Sequence, residues 1–127
     1  MNQQIRDAIA NVDNFLHSKD RHSDWGKSHL RRLRGRVRSE RLKFSQSIGT
    51  HTDEEWESLL NEFNYKCVIC GCTPEGRPCK DHITPIYIGG SDSINNLQPV
   101  CRECNSSKGQ DNTNWAEYRR IYGFEVF

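Results

Sequence analysis

Six cysteines carry the clearest chemical signal in this chain of 127 residues. They include two C-x-x-C pairs, Cys67 with Cys70 and Cys101 with Cys104. Two intervening residues allow both sulfurs of a tight turn to reach one tetrahedral ion at about 2.3 Å. Because four thiolates leave no open coordination position, the pairs predict a structural zinc ion rather than a catalytic one.

Other uses of the cysteines are weaker hypotheses. A disulfide scaffold is disfavoured if the protein is cytosolic, since the cytosol keeps thiols reduced. A redox C-x-x-C site needs a thioredoxin-like βαβ context, which the sequence lacks. Cys72 could in principle replace Cys70, although C-x-C spacing is less usual within a pair, and the simpler interpretation leaves Cys72 and Cys79 as free thiols.

Length and composition favour one soluble unit with a thin core. The chain falls within the usual domain size of roughly 100 to 150 residues, and only 34% of it is hydrophobic. A net charge of +1 argues against a disordered chain, which normally combines low hydrophobicity with high net charge. No apolar run is long enough to cross a bilayer and the N-terminus lacks the layout of a signal peptide, so we expect a cytoplasmic protein. A zinc ion would supplement such a small core.

Helical patterns flank the region that contains the cysteine pairs. Apolar residues at helical spacing predict helices over residues 4–17 and 52–63, and a further one from about Thr113. The second of these begins with Thr52 and Glu55, which form a capping-box pattern. Short apolar runs predict strands at 67–69, 82–88 and 97–101.

Residues 27–43 form a strongly basic segment, with eight lysines and arginines against the single acid Glu40. A narrow apolar stripe predicts a helix here, and Gly35 could break it because glycine costs ~1 kcal/mol relative to alanine. The stripe consists of Leu30, Leu33, Val37 and Phe44.

Residues 45–51 predict a hinge, because they contain Gly49 and several polar side chains. We therefore divide the chain into an N-terminal appendage, residues 1–50, and a second domain, residues 51–127.

The insert between the cysteine pairs carries a distinctive order of residues. It reads KDHITP at 80–85, IYIGG at 86–90 and NNLQPV at 95–100, and NSSKG follows the second pair at 105–109. Over about residues 51–110 this closely resembles the HNH endonucleases, whose ββα-metal motif is often held by two C-x-x-C zinc knuckles. The resemblance is closest to small HNH enzymes of bacteriophages and prophages. It implies an α+β fold: a zinc-stapled ββα-metal unit with a basic helical N-terminal appendage and a C-terminal helix.

The resemblance also implies roles for four residues of this region. His82 would be the general base, which suits an imidazole that titrates near neutrality. Asp81 and Asn105 would offer oxygen ligands to one divalent ion, whereas Asn96 would shape the loop and the base rather than react. Asn105 stands where many members carry histidine, and an oxygen pair favours Mg²⁺ or Mn²⁺. Neighbours in a regular strand point to opposite faces, so Asp81 and His82 share a site only if the strand bends or ends there.

The basic segment suits a clamp on the DNA backbone, because phosphates attract cations whatever the base sequence. The alternative is a solvated helix face for the arginines and a helix-end charge for Lys108. No aromatic residues alternate with the cations in a way that favours single-strand stacking, so we expect duplex DNA. The predicted contacts are Arg31, Arg32, Arg34, Arg36, Arg38 and Lys108.

Together these features predict a metal-dependent DNA endonuclease that nicks or cuts its substrate. It would carry structural Zn²⁺ and catalytic Mg²⁺ or Mn²⁺. The alternative is a non-catalytic zinc-binding module that binds DNA on the same scaffold. The resemblance to phage enzymes further suggests packaging or replication proteins as partners, in the cytoplasm of a bacterial host cell.

Overall fold

The computed structural model describes residues 2–109 and 111–125. Five α-helices and one two-stranded antiparallel sheet make up the regular structure of these residues, which confirms the α+β class. In chain order the elements are α1 (Gln3–Leu16), α2 (Asp24–Ser47), α3 (Asp53–Glu62), β1 (Cys79–His82), β2 (Leu97–Val100), α4 (Arg102–Lys108) and α5 (Trp115–Tyr122). Across the described residues, no helix is both long enough and apolar enough to cross a membrane.

Helices α1 and α2 pack against each other through the apolar faces that the sequence predicts. Ile5 and Ala8 of α1 and Val37 of α2 are buried. The predicted break in the basic segment is wrong, because α2 runs without interruption through Gly35. Packing of the apolar stripe on α1 outweighs the ~1 kcal/mol that one glycine costs a helix.

Helix α3 begins where the capping box predicts. The Thr52 side chain accepts a hydrogen bond from the Glu55 amide at 3.0 Å, and the Glu55 carboxylate accepts one from the Thr52 amide at 2.9 Å. Trp56, Leu59 and Leu60 then form its buried face. These residues join the main apolar core of the chain.

The sheet is shorter than the sequence predicts. Strand β1 ends at His82, and a 3₁₀ turn covers Ile86–Ile88, so the predicted strand over 82–88 is wrong except at its first residue. Pro85 lies between the two and has no amide hydrogen to donate to a ladder. The predicted strand at 67–69 is also wrong, since these residues lie before and within a turn. Only the run at 97–101 forms the expected strand, β2.

The core lies between α3, β2, α5 and the two cysteine turns. Its fully or nearly buried members are Trp56, Leu59, Leu60, Phe63, Cys67, Val68, Leu97, Val100, Cys101 and Ala116. Two of the clustered cysteines therefore belong to the core itself. Apolar packing and the cysteine cluster stabilise the same small volume.

The predicted hinge at 45–51 is tied to the second part of the chain. Ser45 is fully buried and its hydroxyl donates to the Gly90 carbonyl at 2.8 Å. The Asp92 amide donates to the carbonyl of Gly49 at 3.1 Å, and the imidazole of His51 bonds the Asp92 carbonyl at 2.7 Å. These contacts contradict a free hinge, whereas the division of the chain at residue 50 stays a prediction.

A surface segment, residues 71–78, joins the first cysteine turn to β1. Glu75, Gly76 and Arg77 are exposed, and a Cβ added at Gly76 would meet no atom within 4 Å. Arg77 forms an ion pair with Glu57 of α3. The middle of this segment makes no contribution to the core.

Candidate metal centre and catalytic cavity

The four predicted cysteine ligands come together. The sulfurs of Cys67, Cys70, Cys101 and Cys104 all lie within 4.8 Å of one another. A tetrahedral ion at about 2.3 Å from each sulfur would place the sulfurs about 3.8 Å apart. The Cys70 and Cys101 sulfurs are 3.9 Å apart. The cluster can therefore hold zinc in the closed, all-thiolate geometry of a structural site.

Backbone hydrogen bonds shape both cysteine turns. In the first, the Gly71 amide donates to the Cys67 carbonyl and the Cys67 amide donates to the Cys72 carbonyl, both at 2.8 Å. Gly71 has a backbone φ of +80°, a value that residues with a side chain rarely adopt. In the second, Cys101 is the N-cap of α4, and its sulfur accepts from the Cys104 amide at 3.4 Å.

Hydrogen bonding distinguishes Cys70 from Cys72. Burial raises the pKa of the Cys70 thiol, but hydrogen bonds from Cys72 and other cysteines outweigh burial and lower this pKa to about 7. The hydrogen bond to Cys70 raises the pKa of Cys72 to about 12. Geometry decides between the two as ligands, because Cys70 belongs to the four-sulfur cluster and Cys72 does not.

Arg119 of α5 supports the first cysteine turn, although the sequence analysis gave it no role. Its side chain is buried and donates to the carbonyls of Val68 at 2.7 Å and Ile69 at 2.8 Å. The guanidinium carbon also lies 4.7 Å from the centre of the Phe124 ring. An arginine supplies several donors in fixed geometry, so it can satisfy carbonyls that a cysteine turn leaves unpaired.

A second site adjoins the sheet, at a cavity of about 510 Å³. Three of the residues predicted to be catalytic line it, namely Asp81, His82 and Asn105, and so does Lys108. Asp81 and His82 are neighbours in β1, yet both reach the cavity because His82 is the last residue of the strand. The strand ends at the position where the sequence analysis required it to bend or end.

Asp81 is held from two sides. Its Oδ2 accepts a hydrogen bond from the Gln98 side-chain nitrogen at 2.8 Å and forms an ion pair with the Lys108 ammonium at 3.0 Å. No described residue donates a hydrogen bond to Oδ1. The Lys108 side chain is 3% exposed, so it is not the solvated helix-end charge considered above. It also donates to the His82 carbonyl at 3.3 Å and so braces the end of β1.

Gln98 connects Asp81 to the C-terminal helix. It is fully buried opposite Asp81 in the sheet, and its oxygen accepts from the Ala116 amide at 3.0 Å. The sequence analysis did not assign a role to Gln98. A buried amide within the apolar run 97–101 is the signal that could have found it, because buried polar groups require partners.

Asp92 orients His82. The Nε2–H of His82 donates to Asp92 Oδ1 at 2.8 Å, so Nδ1 carries the lone pair. The Asp92 carbonyl accepts from Nδ1 of His51 at 2.7 Å, and Nε2 of His51 accepts from the Lys80 ammonium at 2.8 Å. Roles for Asp92, His51 and Lys80 were not predicted, because the contacts that link them join residues far apart in sequence: Asp92 with His82, His51 with Asp92, and Lys80 with His51.

Asn96 closes the loop between the strands, as the resemblance implies. Its amide nitrogen donates to the carbonyls of Ser91 at 2.7 Å and Thr84 at 3.0 Å, and its side-chain oxygen accepts from the Thr84 amide at 2.8 Å. Its backbone carbonyl accepts from the Ile83 amide at 2.8 Å. Gly90 approaches so closely that an added Cβ would lie 1.8 Å from the Thr84 carbonyl oxygen. The loop that follows His82 is therefore fixed by Asn96 and by a glycine.

Two arginines of α2 also line the catalytic cavity, Arg38 and Arg41. Arg34 lines a neighbouring cavity of about 270 Å³ that both of these arginines share. The other predicted DNA contacts on this helix, Arg31, Arg32 and Arg36, line none of the described cavities. Arg41 was not among the predicted contacts, although it belongs to the basic segment.

Comparison with known proteins identifies the part of the chain that contains both sites. Residues 67–116 match a family model described as HNH endonuclease. No match was found among curated proteins, and none among solved structures. The matched family consists of nucleases, so its substrates are nucleic acids. The resemblance to the HNH endonucleases is confirmed over residues 67–116, which hold both cysteine pairs and all four residues predicted to be catalytic.

Proposed function

We propose that the protein is a metal-dependent DNA endonuclease that hydrolyses phosphodiester bonds at the cavity beside β1. One observation carries the proposal: a histidine, two oxygen ligands and several cations meet in one cavity. Phosphodiester hydrolysis needs these parts, because water must lose a proton while the phosphate and the departing oxygen must be stabilised.

His82 acts as the general base in this proposal. With Nε2–H held by the Asp92 carboxylate, Nδ1 is the nitrogen that can take a proton from water. A charged partner on the far side of the ring also stabilises the imidazolium that forms.

Asp81 and Asn105 suit a hard divalent ion, Mg²⁺ or Mn²⁺, because they offer carboxylate and amide oxygens. Oδ2 of Asp81 is engaged by Gln98 and Lys108, which leaves Oδ1 for a cation. When bound, such an ion would stabilise negative charge on the phosphate and on the departing oxygen. Lys108 and Gln98 keep the carboxylate in place whether or not an ion is bound.

The substrate in this proposal is duplex DNA, with Arg31, Arg32, Arg34, Arg36 and Arg38 of α2 as contacts to its backbone. The basic segment carries seven more positive than negative charges, and cations of this density neutralise phosphates independently of sequence. The phage-like pattern suggests a role in packaging or replication of phage or prophage DNA. The rival function is a zinc-stabilised module that binds DNA without cutting it.

Incubation with supercoiled plasmid tests the proposal. We expect nicked or linear product that depends on added Mg²⁺ or Mn²⁺. His82→Ala should lower the cleavage rate by about 10²- to 10⁴-fold, since a positioned base contributes that much. DNA affinity and zinc content should stay unchanged in this variant.

His22→Ala is the matched control, because His22 is exposed in the connection between α1 and α2. It should cut like the wild type. Plasmid that is bound but never cut would favour the non-catalytic module, and full activity of His82→Ala would remove His82 as the base.

A further inference from the structure

We propose that Arg41, assisted by Arg38, binds the scissile phosphate, so that α2 supplies part of the active site and not only a remote clamp. The inference rests on the proposed nuclease function and names the residues that hold its substrate. It starts from the cavity, which α2 and the HNH segment line together.

Arg41 is held at the cavity without a partner for its charge. Its Nε is buried and has no hydrogen-bond partner. No carboxylate among the described residues forms an ion pair with it. Its guanidinium carbon lies 5.9 Å from the centre of the Tyr87 ring, which lines the same cavity. A buried donor without an acceptor is costly, so this geometry points to an anionic ligand.

The charge of the cavity agrees with this ligand. Four cations line it, and Asp81 is the only acid among its lining residues. Lys108 is paired with Asp81, and Lys80 is bonded to His51. Arg38 and Arg41 are thus the two lining cations that have no ion pair or hydrogen bond within the described residues. Guanidinium groups bind phosphate oxygens in a planar, two-point manner that such free arginines can supply.

Helix α2 is fixed relative to the catalytic histidine. Ser45, one helical turn after Arg41, donates to the Gly90 carbonyl at 2.8 Å. Asp92, two residues beyond Gly90, accepts from His82 at 2.8 Å. A short chain of hydrogen bonds therefore links the end of α2 to the base, and an arginine on that turn can hold a phosphate at a defined place.

The cations of α2 lie on two sides of the helix. At 3.6 residues per turn, Arg34, Arg38 and Arg41 share the side that lines the cavities, whereas Lys43 lies on the opposite side. The rise of 1.5 Å per residue places Arg34 and Arg41 about 10 Å apart along the axis. Phosphates of one DNA strand follow one another every 3.4 Å of duplex axis, so this row could contact about three of them. These three arginines would hold the backbone of one DNA strand along α2 and into the cavity that contains His82.

Single-turnover cleavage of supercoiled plasmid at saturating protein tests the inference. Arg41→Gln should lower the saturated rate by about 10²-fold, the usual effect of removing one donor that stabilises developing charge. Its affinity for uncut plasmid, measured without added divalent ion, should fall by less than about tenfold. Arg41→Lys keeps a positive charge but loses two-point binding, and should lower the rate by about tenfold.

Lys43→Gln is the matched control. It removes one positive charge from the same helix, and Lys43 is exposed and paired with Glu40. It should cut at the wild-type rate. An Arg41→Gln rate equal to that of Lys43→Gln would overturn the inference while leaving the proposed function intact.

Two further readouts complete the design. Wild-type protein that binds but never cuts would overturn the proposed function, and the inference with it. Zinc content and thermal melting show whether Arg41→Gln folds. If it does not, the rate of Arg41→Lys decides: a tenfold loss relative to Lys43→Gln supports the inference, and an equal rate overturns it.

Discussion

Asp92 determines the tautomer and the ring orientation of His82. Nine residues separate the two in sequence. The Asp92 carboxylate oxygen Oδ1 accepts a hydrogen bond from His82 Nε2–H, with 2.8 Å between Nε2 and Oδ1. Asp92 is itself buried, and its backbone is bonded to Gly49 and His51. The carboxylate cannot turn away without breaking these contacts, so it fixes both the ring orientation and the tautomer of His82.

Asp92→Asn should therefore disable the base while leaving the backbone contacts in place. The new amide nitrogen can donate to Nε2, which would force the proton onto Nδ1. We expect kcat to fall by about 10²-fold or more with little change in KM, because the interaction acts in the reaction step. Nitrogen chemical shifts of the His82 ring should report the change of tautomer.

Asp13→Asn is the control for this substitution, since Asp13 is exposed in α1. Equal kcat values for the two variants, or an unchanged His82 tautomer in Asp92→Asn, would contradict the positioning role.

The grouping of the site residues was predictable where they are close together or regularly spaced in the sequence. The cysteine pairs, Asp81 with His82, and Asn96 are adjacent or regularly spaced in the sequence, and the structure places each of them at a cluster, a cavity or a loop closure. The partners of these residues were not predictable. Asp92 lies ten residues from His82 and Gln98 lies 17 residues from Asp81, so only the folded chain reveals either contact.

The loop between β1 and β2 is the element that positions the proposed base, His82, relative to α2. Asn96 bonds both ends of a turn that includes Thr84 and Ser91, and Gly90 fits against the Thr84 carbonyl. The same loop receives the end of α2 through Ser45. Its conformation therefore controls where the base and the α2 arginines stand relative to each other.

Gly90→Ala should distort this loop. The added methyl group would lie 1.8 Å from the Thr84 carbonyl oxygen and 3.0 Å from the Asn96 amide nitrogen, so the backbone must move. Forced expansion of a packed site typically costs about 1 to 3 kcal/mol. Urea unfolding should show a loss of that size, and cleavage should fall more than DNA affinity.

Gly76→Ala provides the comparison, because its Cβ would meet open space. Its free energy of unfolding should stay within about 0.5 kcal/mol of wild type. A stable and fully active Gly90→Ala protein would mean that the loop tolerates a different path.

Helices α1, α2, α3 and α5 were predictable from this sequence, whereas α4 was not predicted, and of the two strands only β2 was. The capping box at Thr52 and Glu55 fixes the start of α3 by local hydrogen bonds. In α1, the helical spacing of the apolar residues indicates which face of the helix is buried. A strand forms only where a neighbouring strand supplies its backbone hydrogen bonds, and local sequence does not show where that neighbour lies. The run at 82–88 has strand-like composition, but all four residues of β2 already pair with Cys79–His82. No β2 residue is left to pair with the residues after His82.

At the scale of the whole molecule, the four-cysteine cluster and the cavity beside β1 are made of different residues. The cysteine cluster joins the turn before β1 to the start of α4, and two of its members are buried in the apolar core. The cavity that we propose to be catalytic is lined instead by Asp81 and His82 of β1. Loss of structural zinc should therefore abolish activity by way of folding.

Cys101→Ser should lose both zinc and fold. Structural zinc supplies folding free energy that a core of this size cannot replace. We expect one tightly bound zinc per wild-type chain, and a zinc-free, unfolded or strongly destabilised variant. Metal analysis and thermal melting are the measurements.

Cys72→Ser should keep its zinc and its melting temperature, because Cys72 is exposed and lies outside the four-sulfur cluster. A Cys101→Ser protein that retains both properties would show that other residues bind the metal. Zinc loss in Cys72→Ser would instead restore Cys72 as a ligand.

The exposed residues Glu75, Gly76 and Arg77, within the segment 71–78, offer a place to attach a reporter. Gly76 faces open space, and the segment leads from the first cysteine turn to the catalytic strand. Closing a longer loop costs only about 0.6 kcal/mol for each doubling of its length, so a short labelled insertion at Gly76 should leave the domain folded. A fluorophore there would be on the surface, six residues after Cys70, where its signal could follow metal loading in real time without altering a ligand or the base.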